Sequence, residues 1–256
     1  MTGRIPTPYN HLAEHYDEVF TFANPWRQEA RERILGSILK RAKLSCDLAC
    51  GTGSTAVEFA RAGLKVYAVD LSPSMCELTR RKAAREHVFV EVIESDMRRF
   101  RLPEKVDLIT CEFDAINHVP KRTDLALVAR SAARALKPGG HFYFDVNTKL
   151  ALEEVWPLTW WLERPDLILV MHGEFDPIRL RAWTTAEFFK RTGQLWERSS
   201  EYVEEVCWSD AEIRETLTRA GFDKITTRDG TPFFSHYPYV RRGHRTFYLA
   251  RLAKQR

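Results

Sequence analysis

Apolar residues along the first 147 positions follow two alternating rhythms. Short apolar runs of strand character cover Leu44 to Ala49, Leu64 to Asp70, Val88 to Ile93, Val106 to Cys111 and His141 to Val146. Helical spacing fills the gaps: Thr55 to Ala62 closed by Gly63, a helix from the Ser72-Pro73 cap to about Glu86, and Asp124 to Leu136 ended by Lys137-Pro138-Gly139-Gly140. Such alternation predicts a parallel sheet with helices on both faces. Ahead of it lies a helical pattern from about His11 to Phe20. A second follows with Asn24 as N-cap and Pro25 at the first helical position, and it places Ile34, Leu35, Ile38 and Leu39 on one face.

The rhythm changes after Asn147. Residues 150–163 hold three of the seven tryptophans in a short helix-like segment. Long strand-like runs then cover Leu167 to Phe175, Arg179 to Phe189 and Gln194 to Val206, with turns at Asp176-Pro177 and Thr192-Gly193. Three strands joined by short turns predict an antiparallel meander. Ser209-Asp210-Ala211-Glu212 is a capping box that opens a helix to Ala220, with Gly221 at its C-terminal cap. Strands near Lys224 to Arg228 and Thr246 to Leu252 close the pattern.

Composition narrows the class without naming a function. A chain of 256 residues buries a sizeable core, and 44% apolar with 29% charged residues is ordinary for a globular protein. A net charge of +4, spread along the chain, disfavours nucleic acid as a partner. The five cysteines have neither a disulfide nor a zinc spacing, so they are expected to be reduced thiols. No apolar run approaches the roughly 18–20 residues that span a bilayer. With a polar N-terminus that lacks a signal core, this predicts a cytoplasmic protein without membrane contact.

The chemistry concentrates at Asp47-Leu48-Ala49-Cys50-Gly51-Thr52-Gly53. The run Gly51-Thr52-Gly53-Ser54-Thr55-Ala56 satisfies G-x-G-x-x-(G/A), and Asp70 lies 19 residues past Gly51. On those facts an NAD-binding unit is open. Three features discriminate against it. More than 40 largely helical residues precede the loop, Asp47 sits inside a strand that a dinucleotide fold keeps apolar, and Ile93 leads into Glu94-Ser95-Asp96-Met97.

Those features resemble the class I S-adenosylmethionine-dependent methyltransferases over nearly the full chain. Leu136-Lys137-Pro138-Gly139-Gly140 before the fifth strand and an antiparallel seventh strand at Phe247 to Leu252 add to the likeness. The resemblance implies an α/β fold: a Rossmann-like seven-stranded sheet with an N-terminal helical cap (1–42) and a cofactor-binding domain (43–148 and 207–256). An inserted antiparallel meander (149–206) serves the substrate or a dimer. It also implies S-adenosyl-L-methionine as cofactor and S-adenosyl-L-homocysteine as product.

Residue by residue, Ala49, Gly51 and Gly53 let the backbone approach the cofactor. Asp70 accepts from the ribose hydroxyls. Asp96 and the Met97 amide meet adenine, with Leu71 and Met75 on its faces. Glu112 and Phe113 pass the methionine portion. Asp47 is expected to anchor the loop. Asp114 and His118 are the general-base candidates at the mouth of the site. The Asn/Asp-Pro-Pro-aromatic tetrapeptide is absent, which counts against methylation of DNA adenine or glutamine amides.

Within the family the layout is similar to glycine and amino-sugar N-methyltransferases, which suggests a small-molecule acceptor. Tyr9, Tyr16 and Trp26 are then candidates for an N-terminal aromatic touching the cofactor. Arg179, Arg181, Trp183 and Glu187 share one face of the second meander strand by two-residue alternation and could line an acceptor pocket or a dimer interface. The loop Phe233 to Tyr239, followed by Arg241, Arg242 and Arg245, adds His236, Tyr237 and Arg245 as acceptor candidates. The same aromatic-basic mixture also suits stacking on RNA bases. The readings are therefore a methyltransferase acting on an amine or hydroxyl of a small metabolite, an RNA-base methyltransferase, or a non-catalytic binding protein on the same fold. A homodimer is expected from the exposed meander edge.

Overall fold

The computed structural model describes residues 12–20, 22–233 and 241–254. Two helices lead the chain, α1 (Leu12–Phe20) and α2 (Ala23–Leu39). Asn24 does not cap α2, because Phe22 before the helix is already helical (φ −59°, ψ −24°) and makes no side-chain cap. Pro25 is still tolerated, since first-turn amides have no intrahelical acceptor.

The alternating section runs β1 (Leu44–Leu48), α3 (Ser54–Arg61), β2 (Lys65–Asp70), α4 (Pro73–Arg85), β3 (Val90–Glu94) and β4 (Val106–Cys111). A 3₁₀ turn at Ala115–His118 then leads to α5 (Arg122–Ala135) and β5 (Leu136–Asn147). The seven-stranded sheet has the order β3-β2-β1-β4-β5-β11-β10, where β10 is Phe222–Asp229 and β11 is Arg245–Leu252. Strands β1 to β5 pair in parallel, and β11 runs antiparallel to both neighbours. The expected α/β fold and antiparallel seventh strand are therefore present.

Alternation along the strands feeds two apolar layers. Tyr67 and Val69 of β2 join one core with Ile109 and Leu125, while Val66 and Ala68 join the other with Trp26, Leu35 and Phe59. Burial on both faces is what a parallel sheet covered by helices requires. The chain leaves β1 toward β2 and returns to β4 on the other side, so a crevice opens where the carboxyl ends of β1 and β4 diverge.

Two expectations change. Helix α5 ends at Ala135, just ahead of Lys137 to Gly140 as expected, but β5 begins at Leu136 rather than His141 and pairs with β4 across a register shift. Pro138, which lacks an amide, and Gly139 at φ +81° are accommodated by that irregularity. The tryptophan segment is a helix only as α6 (Lys149–Glu154). Trp160 and Trp161 instead belong to β6 (Thr159–Arg164) and pair with Met171 and Val170.

The inserted sheet therefore has four strands: β6, β7 (Leu167–Asp176), β8 (Arg181–Thr192) and β9 (Leu195–Val206). Its inner face packs Leu167, Leu169, Ala186 and Phe188 against Leu12 of α1. Helix α7 (Asp210–Arg219) carries the expected capping box of Ser209 and Glu212. All five cysteines are buried thiols. Among the described residues no helix is long and apolar enough to cross a membrane.

Candidate active site

The rim of the crevice is built from unusual backbone. Ala49, Gly51, Phe113 and Asp114 all lie in the left-handed region, with φ of 54°, 55°, 62° and 56°. Three of them carry side chains that disfavour this conformation, and strain of this kind collects at functional sites. Asp70, at the end of β2, braces the turn: its carboxylate accepts from the Gly51 amide at 2.8 Å and the Ser72 amide at 2.9 Å. Burial raises the Asp70 carboxyl, and those amides oppose the rise.

The two glycines have different reasons. A Cβ on Gly51 would meet nothing within 4 Å, so that residue keeps open space at the crevice. A Cβ on Gly53 would stand 2.5 Å from Thr79 Cγ2, so that glycine lets α3 pack against α4. Asp47 is buried and accepts from Thr110 Oγ1 at 3.0 Å, which ties β1 to β4 rather than anchoring the loop. Burial and the nearby Glu112 push its carboxyl up to about 7.

Glu112 follows β4 and is 6% exposed. Its Oε2 accepts from Arg31 at 2.6 Å, Arg27 at 3.1 Å and Thr55 at 3.2 Å, while Arg31 also pairs with Glu58. The other oxygen, Oε1, is buried with no hydrogen-bond partner among the described residues. Arg27 and Arg31 stand one turn apart on α2, so a single helix face clamps the end of β4 and α3. Sequence reading missed this clamp, although the spacing was a usable signal.

Next to it lies a group of buried acids. Asp145 accepts from the Phe113 amide at 2.7 Å and the Asp114 amide at 3.1 Å, and it pairs with Arg245. Arg245 Nη2 lies 2.7 Å from Asp114 Oδ1. Polar atoms of Asp114, His118 and Glu205 lie within 4.8 Å of one another, and Glu205, on β9, is 4% exposed. Burial and the neighbouring Asp114 raise the Glu205 carboxyl well above its ordinary range. His118 Nδ1 is 3.1 Å from the Glu204 carbonyl.

Helix α1 forms the opposite wall. Tyr16, Asp17 and Phe20 face Ala49 to Thr52, Glu112 and Phe113 across a cavity of about 30 Å³. Asp17 bonds to Thr52 and pairs with Lys82 of α4 at 2.7 Å, and the Leu12 amide donates to Glu201 of β9 at 3.0 Å. Burial raises the Tyr16 hydroxyl, which keeps it protonated.

The structure gathers Tyr16, Ala49, Gly51, Glu112 and Phe113 around the crevice, with Asp70 behind the turn. Asp96 follows β3 and is buried. Burial pushes its carboxyl up, but hydrogen bonds and charge from Arg98 outweigh that and hold it below the ordinary range. Met97 packs on the core, Leu71 is 50% exposed at the rim, and Met75 is buried in α4.

Several candidates stand elsewhere than expected. Trp26 is packed on Phe113 and Phe247 in the core beside α2, outside the crevice lining. Arg179 lies in the turn before β8, not on its face, and pairs with Asp176 at 3.7 Å. Arg181 pairs with Glu204 and donates to the Pro120 carbonyl at 2.9 Å, so it straps the inserted sheet to the turn after β4. Trp183 sits opposite Glu174 and Glu204 in the ladder, and Glu187 bonds to Arg198 at 2.8 Å. Arg245 is not in a loop; it opens β11 with its guanidinium buried among acids. Tyr9, His236 and Tyr237 lie outside the described residues.

Comparison with known proteins agrees with this geometry. Residues 46–140 match the family model described as a methyltransferase domain. A putative methyltransferase of Bacillus subtilis, YqeM, is 27% identical over 216 residues, covering 84% of this chain and 86% of that protein. Among solved structures, an S-adenosylmethionine-dependent methyltransferase from Clostridium acetobutylicum superposes with a TM-score of 0.79 at 23% identity, covering 96% of this chain and 99% of that one. The sugar N-methyltransferase KedS8 from Streptoalloteichus superposes with a TM-score of 0.77 at 18% identity, covering 99% and 96%. Fold and glycine turn together define a class I methyltransferase, a transferase whose methyl donor is S-adenosylmethionine.

Proposed function

We propose that the protein transfers the methyl group of S-adenosylmethionine to an amine or hydroxyl of a small metabolite. The observation that carries the cofactor half is the braced turn: Asp70 holds Gly51 open-faced at the crevice while its carboxylate keeps lone pairs for ribose hydroxyls. The buried Glu112 Oε1, which has no hydrogen-bond partner among the described residues, suits the cofactor's ammonium group. Asp96 and the Met97 amide serve adenine, with Leu71 and Met75 on its faces. Bound there, the sulfonium supplies an already activated methyl group. The chain's own residues then orient the acceptor, exclude water and, at Asp114 with His118, receive a proton.

The small acceptor is supported by the crevice that α1 covers, and by the likeness to a sugar N-methyltransferase. In this reading residues 1–42 act as the cap, 43–148 and 207–256 as the cofactor domain, and 149–206 as the acceptor subdomain. Titration calorimetry tests it. S-adenosylhomocysteine should bind, and Asp70→Ala should weaken it by about 100-fold, given the roughly doubled strength of charge-assisted hydrogen bonds. Binding of NAD in its place would sink the reading. We propose further that two copies pair through the inserted sheet, whose edge strands expose Trp161 (82%) and Leu195 (74%). A monomeric mass in light scattering would overturn the pairing.

A further inference from the structure

Helices α5 and α7 lie against each other and leave between them an open cleft of about 330 Å³. None of its lining residues belongs to the crevice under α1. Two of the lining positions are Ala126 and Ala220, whose single methyl groups leave the gap unfilled. Three guanidinium groups, those of Arg122, Arg130 and Arg219, line it beside one acid, Glu215. That acid is fully used: one carboxylate oxygen pairs with Arg122 and the other lies 2.6 Å from Arg219 Nη2. Arg130 makes no hydrogen bond or ion pair among the described residues. The cleft thus holds two positive charges beyond those its own acid answers.

Two independent observations point to an anion. The first is the start of α5, where Lys121 stands at the cap position, Arg122 is the first helical residue, and no side chain caps the free amides. Cations at this end oppose the helix dipole, and the open amides call for an acceptor. Asp124, the acid of that first turn, is already paired with Arg98 at 3.3 Å. The second is Thr216, which is only 7% exposed and whose hydroxyl has no hydrogen-bond partner among the described residues. Thr216 also borders a small pocket whose other lining residues are all apolar. Its methyl group suits that side, which leaves the cleft as the polar side for its hydroxyl.

We propose that the cleft between α5 and α7 is a binding site for the phosphoryl dianion of a small phosphorylated metabolite. A dianion matches the two unanswered charges, whereas a carboxylate would match one. Guanidinium forks fit the oxygens of a phosphoryl group, and the Thr123 and Thr216 hydroxyls supply further donors. Three guanidiniums gathered around one gap, with Glu215 among them, suit a compact ligand better than the long backbone of a nucleic acid. The site is separate from the methyl donor's crevice and does not depend on the methyltransferase reading.

Calorimetric titration with inorganic pyrophosphate at fixed ionic strength tests this, its terminal phosphoryl group standing in for that of the metabolite. Saturable binding at about 1 mM or tighter is expected. Arg130→Gln should weaken it about tenfold, as for a lost charge-assisted contact, with little risk to folding because Arg130 holds no partner. Arg81→Gln removes the same charge from an exposed site on α4 and should change the affinity by less than about twofold. Thr216→Val keeps the side-chain shape and should weaken binding about threefold, which gives a readout independent of charge. No saturable binding up to about 10 mM would overturn the proposal. Equal losses in the Arg130 and Arg81 variants would do the same, since they would show general screening rather than a site. A short single-stranded RNA that binds tighter than pyrophosphate and is lost in Arg130→Gln would overturn the small-molecule assignment.

Discussion

The edge of the seven-stranded sheet and the inner face of the inserted sheet meet at Asp114 and Glu205, yet they are built in opposite ways. At the sheet edge the working parts are backbone: left-handed residues at Ala49, Gly51, Phe113 and Asp114, with Asp70 and Asp145 receiving amides. Each contact lies at a strand end, where chain direction fixes the geometry. The inserted sheet contributes side chains instead. Glu201 and Glu205, four residues apart on β9, both point inward and are 7% and 4% exposed. One accepts from the first amide of α1, and the other joins Asp114. The outer face of the same sheet carries exposed pairs such as Glu187 with Arg198, which tie only neighbouring strands. Position along a strand decides the first region; which face turns inward decides the second.

The comparison can be broken at three points. The strongest is the clamp behind the sheet edge. Arg31→Met leaves buried Glu112 with Arg27 as its remaining cation, and should cost about 3 kcal/mol in urea unfolding, as for a broken buried ion pair. A loss under about 1 kcal/mol would show that the clamp is not what seats α2.

Asp47 comes next. Burial first, then Glu112, raises its folded-state carboxyl to about 7, above the ordinary carboxylate range of about 4. The protonated form is thus favoured by folding, and that contribution is lost as pH rises from about 4 to about 7. Asp47→Asn should remove this dependence and gain about 2 kcal/mol on the wild type between pH 5 and pH 8. Parallel stability curves for the two proteins would place the titration elsewhere. The smallest effect belongs to the inserted sheet's outer face, where Arg198→Ala should change stability by less than about 0.5 kcal/mol, because solvent screens an exposed pair. A larger loss there would erase the contrast between the faces.

Legibility followed the same division. The glycine turn, Asp70, Glu112 and Phe113 could be read because each is defined by distance from a strand end. Boundaries set by pairing were harder. Lys137 to Gly140 does follow the end of α5 at Ala135, but it is the irregular start of β5, between Leu136 paired with Val106 and His141 paired with Leu108; Trp160 and Trp161 looked helical until β7 supplied a partner. Arg179 failed as a face residue because β8 begins only at Arg181. Glu205 carried no local signal, since alternation gives two faces to β9 without saying which one is covered.

By itself, then, the sequence determined the α/β alternation, the order of its elements and the methyl donor, because apolar periodicity and turn chemistry act over a few residues. Tertiary structure decided which acids meet. Asp114, Asp145 and Arg245 meet because β4, β5 and β11 lie side by side in the seven-stranded sheet, and the docking of the inserted sheet adds Glu205 within 4.8 Å of Asp114. It also decided that α1 lies over the crevice, held by Asp17 on one side and an apolar contact with the inserted sheet on the other. Burial gives those carboxyls their chemistry, and burial belongs to the folded chain.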